Sequence, residues 1–529
     1  MSSEDIKRAT GSSTPTSDDE KARTVLADTS PVSPSINGDN TDAIDDKKLV
    51  RKIDLVLIPW LSLLYLVAFL DRSSIGNAKL YNLEADLHIT DTQYLICLSI
   101  FFIPYALLDV PSNIFLKRLR PSIWLSSIML LWGIMMAVQG LVYDFGGLFA
   151  MRWMLGTFEA GLFPGVNYYL SCWYKRSEFG LRAALFFSAA TVSGAFGGLL
   201  AAAISKMDGI GGKPAWAWIF ILEGLLSVVV GAISFFVIQD FPDTARFLSD
   251  KERVAVITRL QNDGMFSAGG EEARWKYIWD SVIDWKTWVG MILYTGANGP
   301  LYGFALFLPS IINQLGFQAT PANLLTVPVY VLACIWTCTV GFLADRYGRR
   351  GYFTIGCFSL GVVAYIILIF SRSAALSYFA VYLAACGIYP LIHFVLSDIY
   401  SLTVLDSAWV SNNVEGTYKR SVSLGWVIGF GNINGAATSN AYRAKDAPRY
   451  ILGHGIVILY IGCGFVAANI MLFFLRRENA ARARGERDEI VVGVNDSEPG
   501  LNKKNGTYQS VEEAIRDKGD KWSGYKYTL

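Results

Sequence analysis

The sequence predicts an all-α membrane protein of twelve transmembrane helices in two pseudo-symmetric six-helix bundles. Three observations predict it. Hydrophobic residues make up 53% and charged residues 17% of the 529 residues, against about 25% charged in ordinary globular chains. Apolar runs of about 20 residues, enough to cross a bilayer as a helix, recur along the chain. A polar stretch divides them six and six.

Residues 1–46 are rich in Ser, Thr, Asp and Pro and read as a disordered cytoplasmic tail with no signal peptide. Spanning runs follow near 53–74, 93–115, 122–142, 146–170, 182–205 and 216–238. They place a first bundle over 47–240. Residues 241–284, with Lys251, Glu252 and Arg253, read as a cytoplasmic linker. A second series near 286–309, 323–343, 352–370, 376–396, 421–441 and 452–475 places a second bundle over 285–478, with a cytoplasmic tail over 479–529. Such a duplication is the outline of a secondary transporter.

Lys and Arg concentrate on the cytoplasmic side of short loops. The loops carrying Lys117, Arg118 and Arg120, then Lys175 and Arg176, Arg346, Arg349 and Arg350, and Lys419 and Arg420, alternate with loops poor in both. Both termini are therefore expected in the cytosol, although Arg443, Lys445 and Arg449 run against the rule. Net charge is +1, so no global field attracts nucleic acid. The seven cysteines fall in apolar runs and read as small buried hydrophobes. With three histidines and no ligand cluster, no metal or cofactor is expected. No nucleophile–base constellation or phosphate loop points to an enzyme.

Ionisable groups at membrane depth cost several kcal/mol and mark function by default. Asp71 and Arg72 lie in the first span, and Arg152 and Glu159, seven residues apart and so on one face, in the fourth. The four charges sum to zero. They let Asp71 pair with Arg152 and leave Arg72 and Glu159 able to exchange partners. An arginine fork suits a carboxylate, and a carboxyl in a low-dielectric cavity can pick up and release protons. Together they suffice for anion/proton symport. Asp109 and Glu223 read as groups holding helix ends or gates. Asn298, with Gly296, Gly299 and Pro300, is expected to break the seventh span. Tyr294, Tyr302, Asn432 and Asn434 would complete a polar cavity.

GFLADRYGRR (341–350) resembles the loop signature of the major facilitator superfamily. LDRSSIGNAKL (70–80), FFIPYALLDVPSNIFLKRLRPS (101–122), RWMLGTFEAGLFPGVNYYLSCWYKRSE (152–178) and WVSNNVEGTYKRSV (409–422) resemble its fungal anion:cation symporter branch, which includes allantoate and nicotinate permeases. The resemblance implies that Arg72 engages the substrate carboxylate; Tyr294, Asn298 and Asn432 are read, as lining of the polar cavity, as further substrate contacts. It implies that Asp71 and Glu159 carry protons and that Arg152 is their switching partner. Asp345, Arg346 and Arg349 in the loop signature, Arg118 in its first-half counterpart, and Glu223 are read as gating groups. The expected partners are a small organic anion, protons and the lipid bilayer, for a monomer in the plasma membrane or, alternatively, the vacuolar membrane. A proton-driven exporter is the main rival, but TVSGAFGGLLAAAIS (191–205) lacks the Gly-Pro pair that exporters of the superfamily carry. A non-transporting nutrient receptor is a further alternative. Residues 394–407, with Asp398 and Asp406, form a stretch about ten residues longer than the branch pattern. The hypothesis of a retained intron or gene-model error is tested by sequencing cDNA across it.

Overall fold

Apolar runs become helices because lipid offers the backbone no other hydrogen-bond partner. The computed structural model describes residues 45–262, 279, 281–347, 350–396, 417–492, 505–525 and 527. The first half contains α1 (Asp46–Lys79), α2 (Asp91–Arg118), α3 (Pro121–Gln139), α4 (Phe145–Glu159), α5 (Leu162–Ser171), α6 (Arg176–Ile204) and α7 (Ala215–Val237). A linker helix, α8 (Asp250–Asn262), precedes the second half: α9 (Trp285–Gln314), α10 (Ala319–Tyr347), α11 (Arg350–Phe370), α12 (Ala374–Leu396), α13 (Thr417–Thr438) and α14 (Ile451–Ala483). With α4 and α5 forming one span and the linker helix α8 left out, these are twelve spans. Among the described residues, nine helices are long and apolar enough to cross a membrane by composition alone. The spans outside that set are α4–α5, α9 and α13, and they carry Glu159, Asn298 and Asn432.

Helix starts follow local chemistry. Thr90 and Gln93 cap α2 reciprocally, and the Asp144 carboxylate accepts from the Gly147 N–H at 2.7 Å to open α4. The fourth span is interrupted after Glu159 for a covalent reason. Pro164 lacks the N–H that would bond the Ala160 carbonyl, so the ladder stops and resumes with Gly165 N–H on Gly161 at 3.1 Å. The break expected in the seventh span is not there, because α9 runs unbroken through Pro300. One missing N–H is tolerated there, where neighbouring helices enclose the segment. Gly296 instead serves packing, since a Cβ on it would lie 2.6 Å from the Gly464 Cα of α14.

The halves repeat each other's packing. In the first, α2 packs on α4, α3 on α4 and α3 on α7; in the second, α10 packs on α12, α11 on α12 and α11 on α14. Of the contacts that join the halves, those of α6 with α10 and of α2 with α13 are the most extensive among the described residues, and exchanging the halves turns one into the other. The linker is held by Lys52–Glu252 at 2.8 Å and Arg259–Glu178 at 3.1 Å. Beyond α14 the chain folds back rather than trailing away. Ile490–Val491 pairs with Thr507–Tyr508, Asn479 exchanges two bonds with the Tyr527 backbone, and buried Asp520 pairs with Lys286 at the start of α9. Residues 397–416 lie outside the described residues, so the long stretch at 394–407 is described only as far as Leu396.

Candidate functional site

Asp71 and Arg72 are neighbours on α1, and about 100° of helical rotation separates them. They therefore face different surroundings. The Arg72 guanidinium, 6% exposed, pairs with Glu159 and donates to the Tyr302 hydroxyl at 3.1 Å. Four aromatic rings surround it: Tyr105 at 4.7 Å, Phe69 and Phe101 at 5.1 Å each, and Tyr302 at 5.6 Å. Ring faces are electron-rich and attract a cation where water is excluded.

Asp71 turns away from this group. Its Oδ2 accepts from the Trp132 indole of α3 at 2.6 Å and the Ser227 hydroxyl of α7 at 2.5 Å. The expected Asp71–Arg152 pair is therefore corrected, because the helix sends Asp71 into the interior of its own bundle. Arg152, 1% exposed, donates through Nε to the Cys97 carbonyl at 3.3 Å, and its Nη1 is without a hydrogen-bond partner. It shares a ring with Arg72, with Phe101 4.9 Å from its guanidinium. Glu159 thus stands at the end of α4 in the field of both arginines, bonded to one and with Oε2 unpaired. A carboxylate at a helix C-terminus opposes the helix dipole, so it requires such cations.

From Arg72 the polar chain crosses into the second half. The Tyr302 hydroxyl donates to Asn432 Oδ1 at 3.4 Å, and Asn298 Nδ2 donates to the same oxygen at 3.3 Å and to the Gly431 carbonyl at 3.2 Å. Tyr294, 2% exposed, packs against Gly431, where a Cβ would lie 2.1 Å from its ring. Of the expected substrate contacts, Arg72, Asn298 and Asn432 share one network, while Tyr294 supports it by packing. Asn434 joins a neighbouring one, bonded to Tyr460 at 3.1 Å.

Toward the end of the molecule where α1 begins, a cavity of about 530 Å³ runs along α1 and α6 from Asp54 to Leu66. It stops six residues, or about 9 Å of helix rise, short of Arg72. Arg182 grips Asp54 there with two bonds, at 2.9 and 2.7 Å. At the opposite end the halves touch. Asn323 donates to Tyr81 at 3.1 Å, Asn440 to Ser99 at 2.7 Å, and the Ala444 N–H to Asp91 at 2.9 Å.

The model of the Major Facilitator Superfamily matches residues 61–439. The chain belongs to that superfamily. Similar chains include an uncharacterised transporter of Schizosaccharomyces pombe, 36% identical over 85% of this chain and 88% of its own length. An MFS-type transporter of Penicillium expansum is 34% identical over 84% and 86%. The high-affinity nicotinic acid transporter of Saccharomyces cerevisiae is 31% identical over 82% and 79%. A bacterial homolog of the human lysosomal transporter Spinster, solved inward-facing and occupied, shares the fold at a TM-score of 0.58 and 16% identity, covering 82% of this chain and 98% of that one.

This superfamily member is accordingly a multi-pass membrane carrier of a small molecule and not an enzyme. Of the residues read as gating groups, Arg118 ends α2, and Asp345 and Arg346 lie in the last turn of α10. Arg346 is exposed, whereas the side chains of Arg118 and Asp345, and all of Arg349, lie outside the described residues. Glu223 is not at either end. It is 2% exposed inside the first bundle and bonded to Ser74 of α1, a position unsuited to a gate. Sequence reasoning missed the aromatic ring set of Phe69, Phe101 and Tyr105 and the partners of Asp71, Trp132 and Ser227. The spacing of Phe101 and Tyr105, one turn apart on α2, was the available signal.

Proposed function

We propose that this carrier imports a small organic anion, a carboxylate, in symport with protons by alternating access. The observation that carries the reading is the Arg72–Glu159 pair, with Arg152 beside it and Tyr302 leading into the second half. A substrate carboxylate entering the ring set takes the Arg72 fork and displaces Glu159. The freed carboxyl then either binds a proton or moves toward the unused Arg152 Nη1. Two anions on one guanidinium are disfavoured, so substrate and proton enter together. The Tyr302–Asn432–Asn298 chain makes the second half sense what binds in the first. The likeness to a nicotinic acid transporter supports a monocarboxylate substrate.

The alternation of Lys and Arg supports a cytosolic side at the end where α1 begins, and the likeness to fungal transporters supports residence in the plasma membrane. The cavity along α1 and α6 then opens inward, and the Tyr81–Asn323 and Ser99–Asn440 contacts close the outer side.

Uptake of labelled nicotinate and a panel of monocarboxylates and ureides in permease-deficient yeast tests the reading. Arg72→Ala is expected to abolish uptake of the transported anion. Glu159→Gln is expected to keep exchange but lose acid-driven accumulation. Wild-type uptake by either variant under an acid-outside gradient overturns the assignment, and efflux from preloaded cells without uptake makes the protein an exporter.

A further inference from the structure

Behind Arg72, on the side of α1 away from the second half, lies a second acidic pair that the exchange of Glu159 does not use. Asp71 and Glu223 are 0% and 2% exposed. Asp71 is held by Ser227 and Glu223 by Ser74, so each carboxyl is bonded to a serine on the helix that carries the other. Ser227 Oγ also lies 3.0 Å from the Glu223 carbonyl, and Ser74 Oγ lies 2.7 Å from the Leu70 carbonyl.

A hydroxyl has one hydrogen to give, and each of these serines faces two acceptors. If both hydrogens turn to the carboxyls, two full anions are buried side by side. Glu159, another acid, also acts on Asp71. Among the described residues no cation is bonded to either carboxyl, and Arg72, the neighbour in sequence, is committed to Glu159. Burying unpaired like charges costs several kcal/mol per ion. If the serines make instead the i−4 backbone bonds usual for serine in a membrane helix, the hydrogens toward Oγ must come from the acids. Asp71 Oδ2 then accepts from Trp132 and donates to Ser227, and Glu223 Oε2 donates to Ser74. Every hydrogen is accounted for and no bare anion is left.

We propose that Glu223 is a further proton-holding carboxyl of this carrier, beside Glu159, paired with Asp71 through Ser227 and Ser74. The groups facing the pair are Ser74 on α1, Trp132 on α3, Glu159 on α4 and Ser227 on α7. Asp71 is joined to Arg72 by one peptide bond, so a change of charge in the pair acts on the residue that reads the anion. Glu223 is a positioning residue here, since it touches neither the substrate path nor Arg72. The inference rests on the proton-coupled reading above.

The test uses infrared titration of the purified full-length protein in lipid, with no substrate present, from mildly acid to mildly alkaline pH. Wild type is expected to show a protonated-carboxyl stretch at neutral pH, part of which disappears in Glu223→Gln. Ser74→Ala and Ser227→Ala leave both acids in place and are expected to shift that band and its pH profile. They keep the question open to measurement if Glu223→Gln does not fold. A band and profile identical to wild type in Glu223→Gln, or in both serine variants, overturns the proposal. In proteoliposomes, the ratio of gradient-driven accumulation to exchange of the transported anion is expected to fall at least several-fold in Glu223→Gln. An unchanged ratio also overturns it. If wild type itself ignores the gradient, the symport reading falls, whatever the infrared result for Glu223.

Discussion

Around Arg72 the molecule uses every type of contact a guanidinium can make: an ion pair with Glu159, a hydrogen bond to Tyr302 and the faces of four rings. Tyr302 is the member that also reaches the second half, through Asn432. Tyr302→Phe keeps the ring and its packing and removes only the hydroxyl. A hydrogen bond to a charged group contributes about 1.5–3 kcal/mol, so binding of the transported anion to the purified variant is expected to weaken by roughly tenfold or more. Titration of ligand against intrinsic tryptophan fluorescence measures it, and an unchanged Kd would remove Tyr302 from the site. The four charges were legible in the sequence because charge is rare at membrane depth. Their pairing was not. Asp71 and Arg72 look interchangeable in a string of letters, and only the direction each takes from α1 separates them. The rings were hard to single out for the opposite reason: beyond the one-turn spacing of Phe101 and Tyr105, Phe69, Phe101 and Tyr105 resemble every other aromatic in an apolar run.

At the scale of elements, Glu159 is presented by a helix that stops. Pro164 ends the hydrogen-bond ladder one turn later than Glu159, and the approach of α4 to α2 fixes the depth of that end. Gly156 makes the approach close: a Cβ there would lie 2.1 Å from the Phe101 carbonyl oxygen, which belongs to backbone and cannot swing aside. Gly156→Ala must therefore push α4 off α2 at the level of the ring shared by Arg72 and Arg152. Overpacking of this kind costs about 1–3 kcal/mol, and a lower thermal midpoint of the detergent-solubilised protein is expected together with slowed uptake. A variant with wild-type midpoint and uptake would show that the two helices are not in backbone contact. Apolar length located a helix for every span, because hydropathy reports depth in the membrane directly, although α1, α6, α9 and α14 run five to eight residues past the apolar limits at one end or both. The interruption of the fourth span was not anticipated from sequence, and the break expected in the seventh does not occur in α9; both carry proline, and the outcome depends on what neighbours enclose the freed carbonyl. The folded-back tail was equally hidden. Its anchor, Lys286 with Asp520, joins residues far apart in sequence.

Across the whole molecule the two halves meet most extensively through α6 with α10 and α2 with α13, and apart from the central Arg72–Tyr302 bond the side-chain bonds between them described above gather at one end. Two rigid bundles that touch at one end and part at the other can exchange those states by rocking, which is how a fixed central site is opened to one side at a time. Ser99 and Asn440 are a bonded pair at the closed end, 2.7 Å apart, one from each half. Ser99→Cys with Asn440→Cys places two thiols where these side chains now meet. The exposed Cys338 and Cys463 would be replaced by serine to keep the oxidation specific. If this end must open during transport, oxidation arrests uptake and reduction restores it. In the arrested protein a cysteine at Leu185, 49% exposed beside the cavity along α1 and α6, should still react with a water-soluble maleimide, because locking one end leaves the other accessible. Full-rate uptake by the oxidised protein would mean that the Ser99–Asn440 contact is no gate. Loss of the maleimide reaction would mean that the cavity is not the open side of the same state.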